Sequence, residues 1–574
     1  MSTERSDGRQ ASAPEPELLR VSFNAEREAA RALLPERVKG DALRRSLYFT
    51  TLGWFFGAFW FAAAAGGATL NRFVEYFAPL GQKDFFIGLV TAAASIGVLL
   101  QIPGALRIEH IGIRKPFFLR WLTTQRVIYL VIAILPWVLP AHSAWAALLL
   151  TALIIGAWGC QHFGGQAWVN WMGDLVPARV RGKYFGRRSR IGIVVMAVTS
   201  VLMGVVLDLS GTVKFNEIVG PWAEKAGMPP LLLVISIIFF FAAIAGILDI
   251  QCFHKVDEPR MKAVIAEPMF KRLVRPLRDR DFRGYVLYLF TWMSANGFAA
   301  PFWWVYLLSF FDLLKSQGST AWWLNWYYVA AYIMLPIAYH VGQFAGYPVW
   351  GRMVDRFGRK PIIFISSMTH TLTWVFWLFL TPDMLFYCIP AQFIGGFFGS
   401  GQEIANFNMM LGFNRKGGAA YQAVASVITN VGMAGTMFFG GVLATAFLKI
   451  ESSYGNVFTL SGLPFGRYQA LIIIALMLKI FADVILLTRV HDPEAKPTAH
   501  AARFLIENLY GNLDSVIFTP LRRVPDMTTD AVRLTMDVTT DAARKVGEVT
   551  TDTVSKIGDV AEDAVEGVRK IFRS

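Results

Sequence analysis

The sequence predicts an all-α membrane protein of twelve transmembrane helices in two six-helix repeats. Three observations predict it. The 574-residue chain is 55% hydrophobic and only 17% charged, against about 25% charged in soluble proteins, so it cannot cover itself with a water-facing surface. Twelve apolar runs approach the roughly 20 residues that a membrane-crossing helix needs. Motifs in the first six runs recur at the same relative places in the last six. The 46 Phe, 18 Trp and 17 Tyr exclude disorder through most of the chain. The 3 Cys, all inside or beside apolar runs, exclude a disulfide-stapled scaffold.

The candidate spans, one to twelve, are residues 46–69, 85–106, 116–139, 144–173, 190–209, 230–252, 284–309, 323–350, 361–380, 384–412, 419–448 and 468–488. They are too long, and too little alternating, for a β-barrel. Residues 1–40 are polar, with Arg5, Arg9 and Glu15 and no apolar core. No cleavable signal opens the chain, and span one stays in the membrane.

The linkers set the orientation. Those after spans two, four, six, eight and ten carry most of the Lys and Arg: Arg114 and Lys115; Arg179, Arg181, Lys183, Arg187 and Arg188; Lys271 and Arg272; Arg352, Arg356, Arg359 and Lys360; Arg415 and Lys416. Those after odd spans carry only Arg72, Lys83, Lys214, Lys225, Lys315, Lys449 and Arg467. The basic linkers face the cytoplasm, which puts both chain ends there and the protein in the inner membrane. The net charge of +14 is then a topology signal. A nucleic-acid partner, which would want that charge on one folded face, is not expected.

The chain divides into a cytoplasmic N-terminal tail and lead-in helix (1–45), a six-helix bundle (46–252), a central cytoplasmic loop (253–283), a second six-helix bundle (284–488) and a cytoplasmic tail (489–574). Residues 1–20 read as disordered and 22–45 as a short amphipathic helix. In the last segment, Thr528, Thr539, Thr550 and Ala561 open four successive eleven-residue repeats. That period gives a continuous apolar stripe on a long helix. Such a helix would bind a membrane surface or self-associate.

The internal repeat is visible in two places. Gly351-x-x-x-Asp355-Arg356-x-Gly358-Arg359-Lys360 follows span eight, and a worn copy follows span two, with Ala105, Glu109, His110, Gly112, Arg114 and Lys115 and one inserted residue. Gln166-x-x-x-Asn170 leads to Tyr184 as Gln402-x-x-x-Asn406 leads to Tyr421. Duplicated six-helix units are the architecture of parallel-repeat transporters.

The second-half motif resembles the signature loop of the major facilitator superfamily, G-x-x-x-D-R-x-G-R-[RK], at every defined position. A second pattern of that family is similar to Asp174-x-x-Pro177-x-x-x-Arg181-Gly182 at the inner end of span four. The resemblance covers about residues 44–490. It implies an MFS-like fold whose spans one, four, seven and ten line a central cavity. It implies that Asp355 contacts the start of span eleven while Arg356 and Arg359 pair with nearby carboxylates, closing an inner gate. Gly351 and Gly358 would allow close backbone approach and a tight turn. Family members usually carry the better signature copy in the first half, so the first-half gate is expected to be built differently. The bland alternative is that Arg359 and Lys360 only enforce topology.

Ionisable groups inside spans are costly and are functional candidates by default. Glu403 sits deep in span ten, beside the face shared by Gln402 and Asn406. It is expected to be buried and to bind a proton or another coupling ion; a packing carboxyl is the competing reading. The span-four counterparts are Gln161, His162, Gln166 and Asn170, with His162 read as a helix–helix hydrogen bonder. Asn296 in span seven faces substrate or marks a helix break beside Gly297 and Pro301. Arg126 is expected to snorkel or pair, and Lys479 to pair with Asp483 four residues on. Most of the dense Trp residues belong to interfacial belts and packing.

No Walker loop, zinc-ligand spacing or nucleophile elbow is present. No catalytic residue, metal or cofactor is therefore expected, and the protein is not read as an enzyme. The expected function is secondary transport of a small-molecule solute across the lipid bilayer by alternating access, with protons or another ion as coupling partner. The alternative is a non-transporting membrane scaffold on the same fold.

Overall fold

A computed structural model describes residues 34–508 apart from 66, 262–268, 320–321, 418 and 461–462. Apart from one β-hairpin, Phe458–Leu460 against Leu463–Phe465, its regular structure is helical. Ten helices among the described residues are long and apolar enough to cross a membrane: Gly40–Phe77, Lys83–Ile108, Lys115–Val138, Ala144–Leu175, Arg187–Leu209, Pro230–Lys255, Arg280–Ser316, Arg359–Leu378, Ala420–Tyr454 and Arg467–Arg489. They coincide with spans one to seven, nine, eleven and twelve, so the protein is an all-α, multi-pass membrane protein.

The expected count of twelve is not reached by apolarity alone. Spans eight and ten are helices, at residues 327–357 and at Cys388–Gly417, but they are less apolar. The first carries His340, Gln343, Tyr347, Arg352 and Asp355; the second carries Gln402, Glu403, Asn406 and Asn408. Helices this polar need protein or water, not lipid, against their polar side.

Local chemistry explains the ends and bends. The span-two helix stops at Gly112, which takes φ 72° and returns its N–H to the Ile108 carbonyl. The span-three and span-nine helices both start at Lys-Pro, with Pro where no N–H is needed. Asp279 caps span seven by accepting from the Asp281 and Phe282 N–H groups at 3.0 and 3.3 Å. A 3-10 turn at Ala300–Phe302 interrupts span seven at Pro301, where the sequence marked a break. π-helical turns occur at Phe61–Ala65, at Ile333–Ile337 around Pro336, and at Ala482–Leu486 around Asp483.

Three further α-helices lie outside the spans, one of them Thr498–Glu507 after span twelve. Thr212 caps Val213–Lys225, which exposes Val213, Ile218 and Trp222 between spans five and six. Met269–Arg278 lies in the central loop. Of the expected lead-in helix, the described part is irregular over 34–39 and helical from Gly40. Residues 1–33 and the eleven-residue repeats lie outside the described residues.

Small residues let the helices cross closely, as expected where lipid supplies no hydrophobic drive. A Cβ on Gly346 would meet the Phe397 carbonyl oxygen at 2.5 Å, and one on Gly396 the Tyr339 carbonyl carbon at 2.8 Å. Spans eight and ten thereby touch backbone to backbone. Residues of the first and second halves of the sequence are latched together at the end that carries the odd-numbered linkers. There Asp84, before span two, pairs with Arg467 at 2.9 Å and accepts from the Tyr468 hydroxyl at 2.9 Å, both before span twelve. Asp208, ending span five, accepts from the Tyr328 and Val329 N–H groups opening span eight, at 2.8 and 3.1 Å.

Candidate functional site

The polar side of span ten faces a cavity of about 420 Å³. Span seven contributes Tyr285, Trp292 and Met293, span eight Tyr339, and span nine His370. Span ten contributes Gln402, Glu403 and Asn406, and span eleven Gln422, Thr429 and Asn430. The helical register expected for span ten is found: Gln402, Glu403 and Asn406 all border one space. The Tyr285 hydroxyl donates to the Asn406 carbonyl and side-chain oxygens at 3.0 and 3.2 Å. The Tyr347 hydroxyl and the Gln343 amide donate to Glu403 at 2.7 and 3.4 Å.

Glu403 differs from the expectation of burial. It is exposed, while its neighbour Gln402 is buried at 3%. One helical step separates a side chain packed on span seven from one that looks into the cleft. The span-four set behaves differently again. Gln161, His162 and Gln166 are half-buried and Asn170 is exposed, and none borders this cavity. The expected helix–helix hydrogen bond of His162 is not formed among the described residues; its ring lies 6.1 Å from that of Trp158. Asn296 turns back and donates to the Trp292 carbonyl of its own helix at 2.8 Å.

Behind the cavity wall lies a network that the sequence did not reveal. Lys479 and Asp483 are each fully buried, yet they do not pair. Asp483 accepts from Ser367 at 2.7 Å and from the Tyr288 hydroxyl at 3.3 Å. The Lys479 ammonium lies 3.4 Å from His370 Nδ1 and 3.8 and 4.4 Å from the ring centroids of Trp374 and Trp292. In the first half, Arg126 does pair, with Asp249 at 3.4 Å, and its guanidinium sits 3.4 Å over the Trp60 ring. A Cβ on Gly57 would meet Asp249 at 2.6 Å, so this glycine makes room for the carboxylate.

Both signature loops are built, and on the same plan. In the second half, the Arg359 and Lys360 N–H groups that open span nine donate to Asp492 at 2.8 and 2.9 Å. Arg359 also pairs with Glu494 at 2.6 Å. In the worn first-half copy, the Arg114 and Lys115 N–H groups that open span three donate to Glu258 at 2.6 and 3.0 Å. The wholly buried Arg114 side chain also pairs with Glu258, at 3.3 Å, and with Asp174 at 2.6 Å. A carboxylate at a helix start meets free N–H groups and the positive end of the dipole. The Arg359–carboxylate pairing is as the resemblance implied, although its partners follow span twelve.

Two implied roles are not seen. Asp355 is exposed and makes no hydrogen bond or ion pair among the described residues. Gly351 is helical, and a Cβ there would meet nothing within 4 Å, so it permits no close approach. Gly358 does both things expected of it: it takes φ 84°, and a Cβ would meet the Glu494 carbonyl oxygen at 2.5 Å. Arg356 is exposed, Gly112 terminates its helix, and the side chains of Glu109 and Arg181 lie outside the described set. The partners Glu258 and Asp492 were missed, though a signal exists. Asp249-x5-Lys255-Val256-x-Glu258-Pro259 and Asp483-x5-Arg489-Val490-x-Asp492-Pro493 match in spacing throughout.

Residues 331–536 match the family model of the Major Facilitator Superfamily. Among solved structures, the nucleoside transporter NupG is 10% identical with a TM-score of 0.53, over 78% of this chain and 99% of its own. A D-xylose-proton symporter is 14% identical with a TM-score of 0.54, over 76% of this chain and 97% of its own. No curated protein matches the chain in sequence. The protein is a membrane-embedded chain with the major facilitator fold.

Proposed function

We propose that the protein is a secondary transporter that moves a small polar solute across the inner membrane by alternating access. In this reading all twelve spans cross, as two six-helix units of residues 46–252 and 284–488, with both chain ends cytoplasmic. The latches at Asp84–Arg467 and Asp208–Tyr328 then close the outer end. The observation that carries the reading is the cavity in the second half. Its size lies within the range of small-molecule sites. Its aromatic rings, Tyr285, Trp292 and Tyr339, offer stacking faces, and Gln402, Asn406, Gln422 and Asn430 offer paired donors and acceptors. That lining suits an uncharged ring bearing hydroxyls or heteroatoms, such as a pentose or a nucleoside. Glu403 supplies the acceptor at the cleft, and Gln166, Asn170, His162 and Asn296 face the solute in other conformations of the cycle. The loops of Asp355, Arg356, Arg359 and Lys360 and of Glu109, Arg114, Asp174 and Arg181 form the inner gate.

The test is uptake of labelled pentoses and nucleosides into proteoliposomes, with and without a pH gradient. We expect saturable uptake of at least one solute, reduced at least tenfold by Trp292→Ala through loss of the stacking face. Uptake no faster than in empty liposomes across the panel, or uptake untouched by cavity substitutions, would count against this assignment.

A further inference from the structure

The two halves hold a buried carboxylate at the same register. Asp249 and Asp483 each stand nine residues before the carboxylate that docks their signature loop, Glu258 and Asp492. Each is bonded from the third helix of its half, by Arg126 and by Ser367. The difference is in the counter-charge. Arg126 cannot release its proton in a protein, so the first-half carboxylate is neutralised permanently. In the second half no arginine holds that place among the described residues; the bases beside Asp483 in sequence and fold are Lys479, one turn earlier on the same helix, and His370, three residues after Ser367, which can both titrate. Among the described residues no carboxylate lies within ion-pair distance of Lys479, and its hydrogen-bond partner is another base. Two protonated bases 3.4 Å apart in a largely buried site would repel strongly. The arrangement therefore favours a proton on one of the two bases and not on both at once.

The cluster also touches the cavity by two routes. His370 borders it directly. Gln402, on the cavity wall, donates to the Tyr288 hydroxyl at 3.5 Å, and Tyr288 donates to Asp483. The π-helical turn Ala482–Leu486 widens the backbone at Asp483, a distortion that recurs at functional sites. We propose that His370, Lys479 and Asp483 form the proton-binding site of this chain, loaded and emptied through the cavity, and that its occupancy biases which end of the molecule is open. This deepens the transport reading and rests on it. Other ionisable groups facing the cluster are Tyr285 and Tyr288 from span seven, Tyr339 from span eight and Glu403 from span ten. Span eleven presents none to it among the described residues. The proton resides on His370 or Lys479 when Asp483 is charged, and moves out through His370 when the cavity opens to a solution of higher pH.

The experiment uses the full chain in lipid nanodiscs with histidine side chains labelled with ¹⁵N, and needs no solute. The His370 resonances, identified by their loss in His370→Phe, are followed between about pH 5 and 9. We expect them to titrate, with a midpoint raised by about one pH unit or more in Lys479→Met and lowered in Asp483→Asn. In parallel, single cysteines at the two mouths are labelled with a maleimide. Their relative reactivity is expected to change with pH in the parent protein and not in Asp483→Asn. A His370 ring that stays in one form in the unmodified chain would overturn the proposal. So would mouth reactivity that ignores pH. Either result leaves the transport reading standing, because that reading fails only through the absence of solute flux.

Discussion

At the scale of the residue, two glycines of one motif have opposite fates. Gly358 is held at φ 84° against the Glu494 backbone, while the Gly351 position opens on empty space. Gly358→Ala combines a strained backbone with a backbone clash, for a cost of about 1–3 kcal/mol. Gly351→Ala should be neutral or slightly stabilising, since alanine favours a helix. Thermal unfolding of the two variants in the same detergent checks this, with a lower midpoint expected for Gly358→Ala alone. The motif spelled both residues in the same way. What separated them was whether a second segment, 492–496, lies against the loop, and a local pattern does not carry that. The same limit applies to Glu403 and Gln402. Their order along span ten was legible, but which of them the span-seven helix covers depends on packing.

At the scale of the element, the worn signature is the instructive case. The copy after span two lost its Asp and its Arg, yet Arg114 and Lys115 still open a helix onto a carboxylate, as Arg359 and Lys360 do. The docking of such a loop rests on backbone donors at a helix start, a requirement that many side chains satisfy. The departure from the family pattern is therefore a weaker sign of a non-transporting scaffold than its spelling suggests. The latches at the opposite end are the other element-scale device. Asp84 and Asp208 each join one half to the first turn of a helix in the other. Replacing both by Asn weakens a charge-assisted bond at each, at about 1–2 kcal/mol per site. We expect Asp84→Asn with Asp208→Asn to raise maleimide labelling of single cysteines at the outer mouth severalfold, with the fold retained. Unchanged labelling would show that apolar contacts, such as Gly88 against Gly441, hold this end without them.

At the scale of the whole molecule, the sequence made the class of protein plain through long apolar runs and through the alternation of basic linkers. These signals are local or one-dimensional, and the membrane imposes them directly. The count of spans was harder, because helices eight and ten are polar. In helix ten the polarity that blurs it as a span also marks it as a wall of the cavity. The network of Lys479, His370 and Asp483 was out of reach. A Lys and an Asp four apart on one helix read as a pair, and only the approach of spans seven and nine shows that each has other partners.

The central claim is that the two halves rock about a solute site, and distances between spin labels at the two ends test it most directly. One label pair bridges the halves at the outer end, on the linkers before spans two and twelve. The other bridges them at the inner end, on the linkers after spans two and eight. In the proposed reading the latched end is the outer one, and the structure corresponds to one state of the cycle. The account predicts two populations for each pair, with the outer distance lengthening as the inner one shortens when solute or pH is changed. A single fixed distribution at both ends, under every such condition, would contradict it and leave a static scaffold built on a carrier's fold.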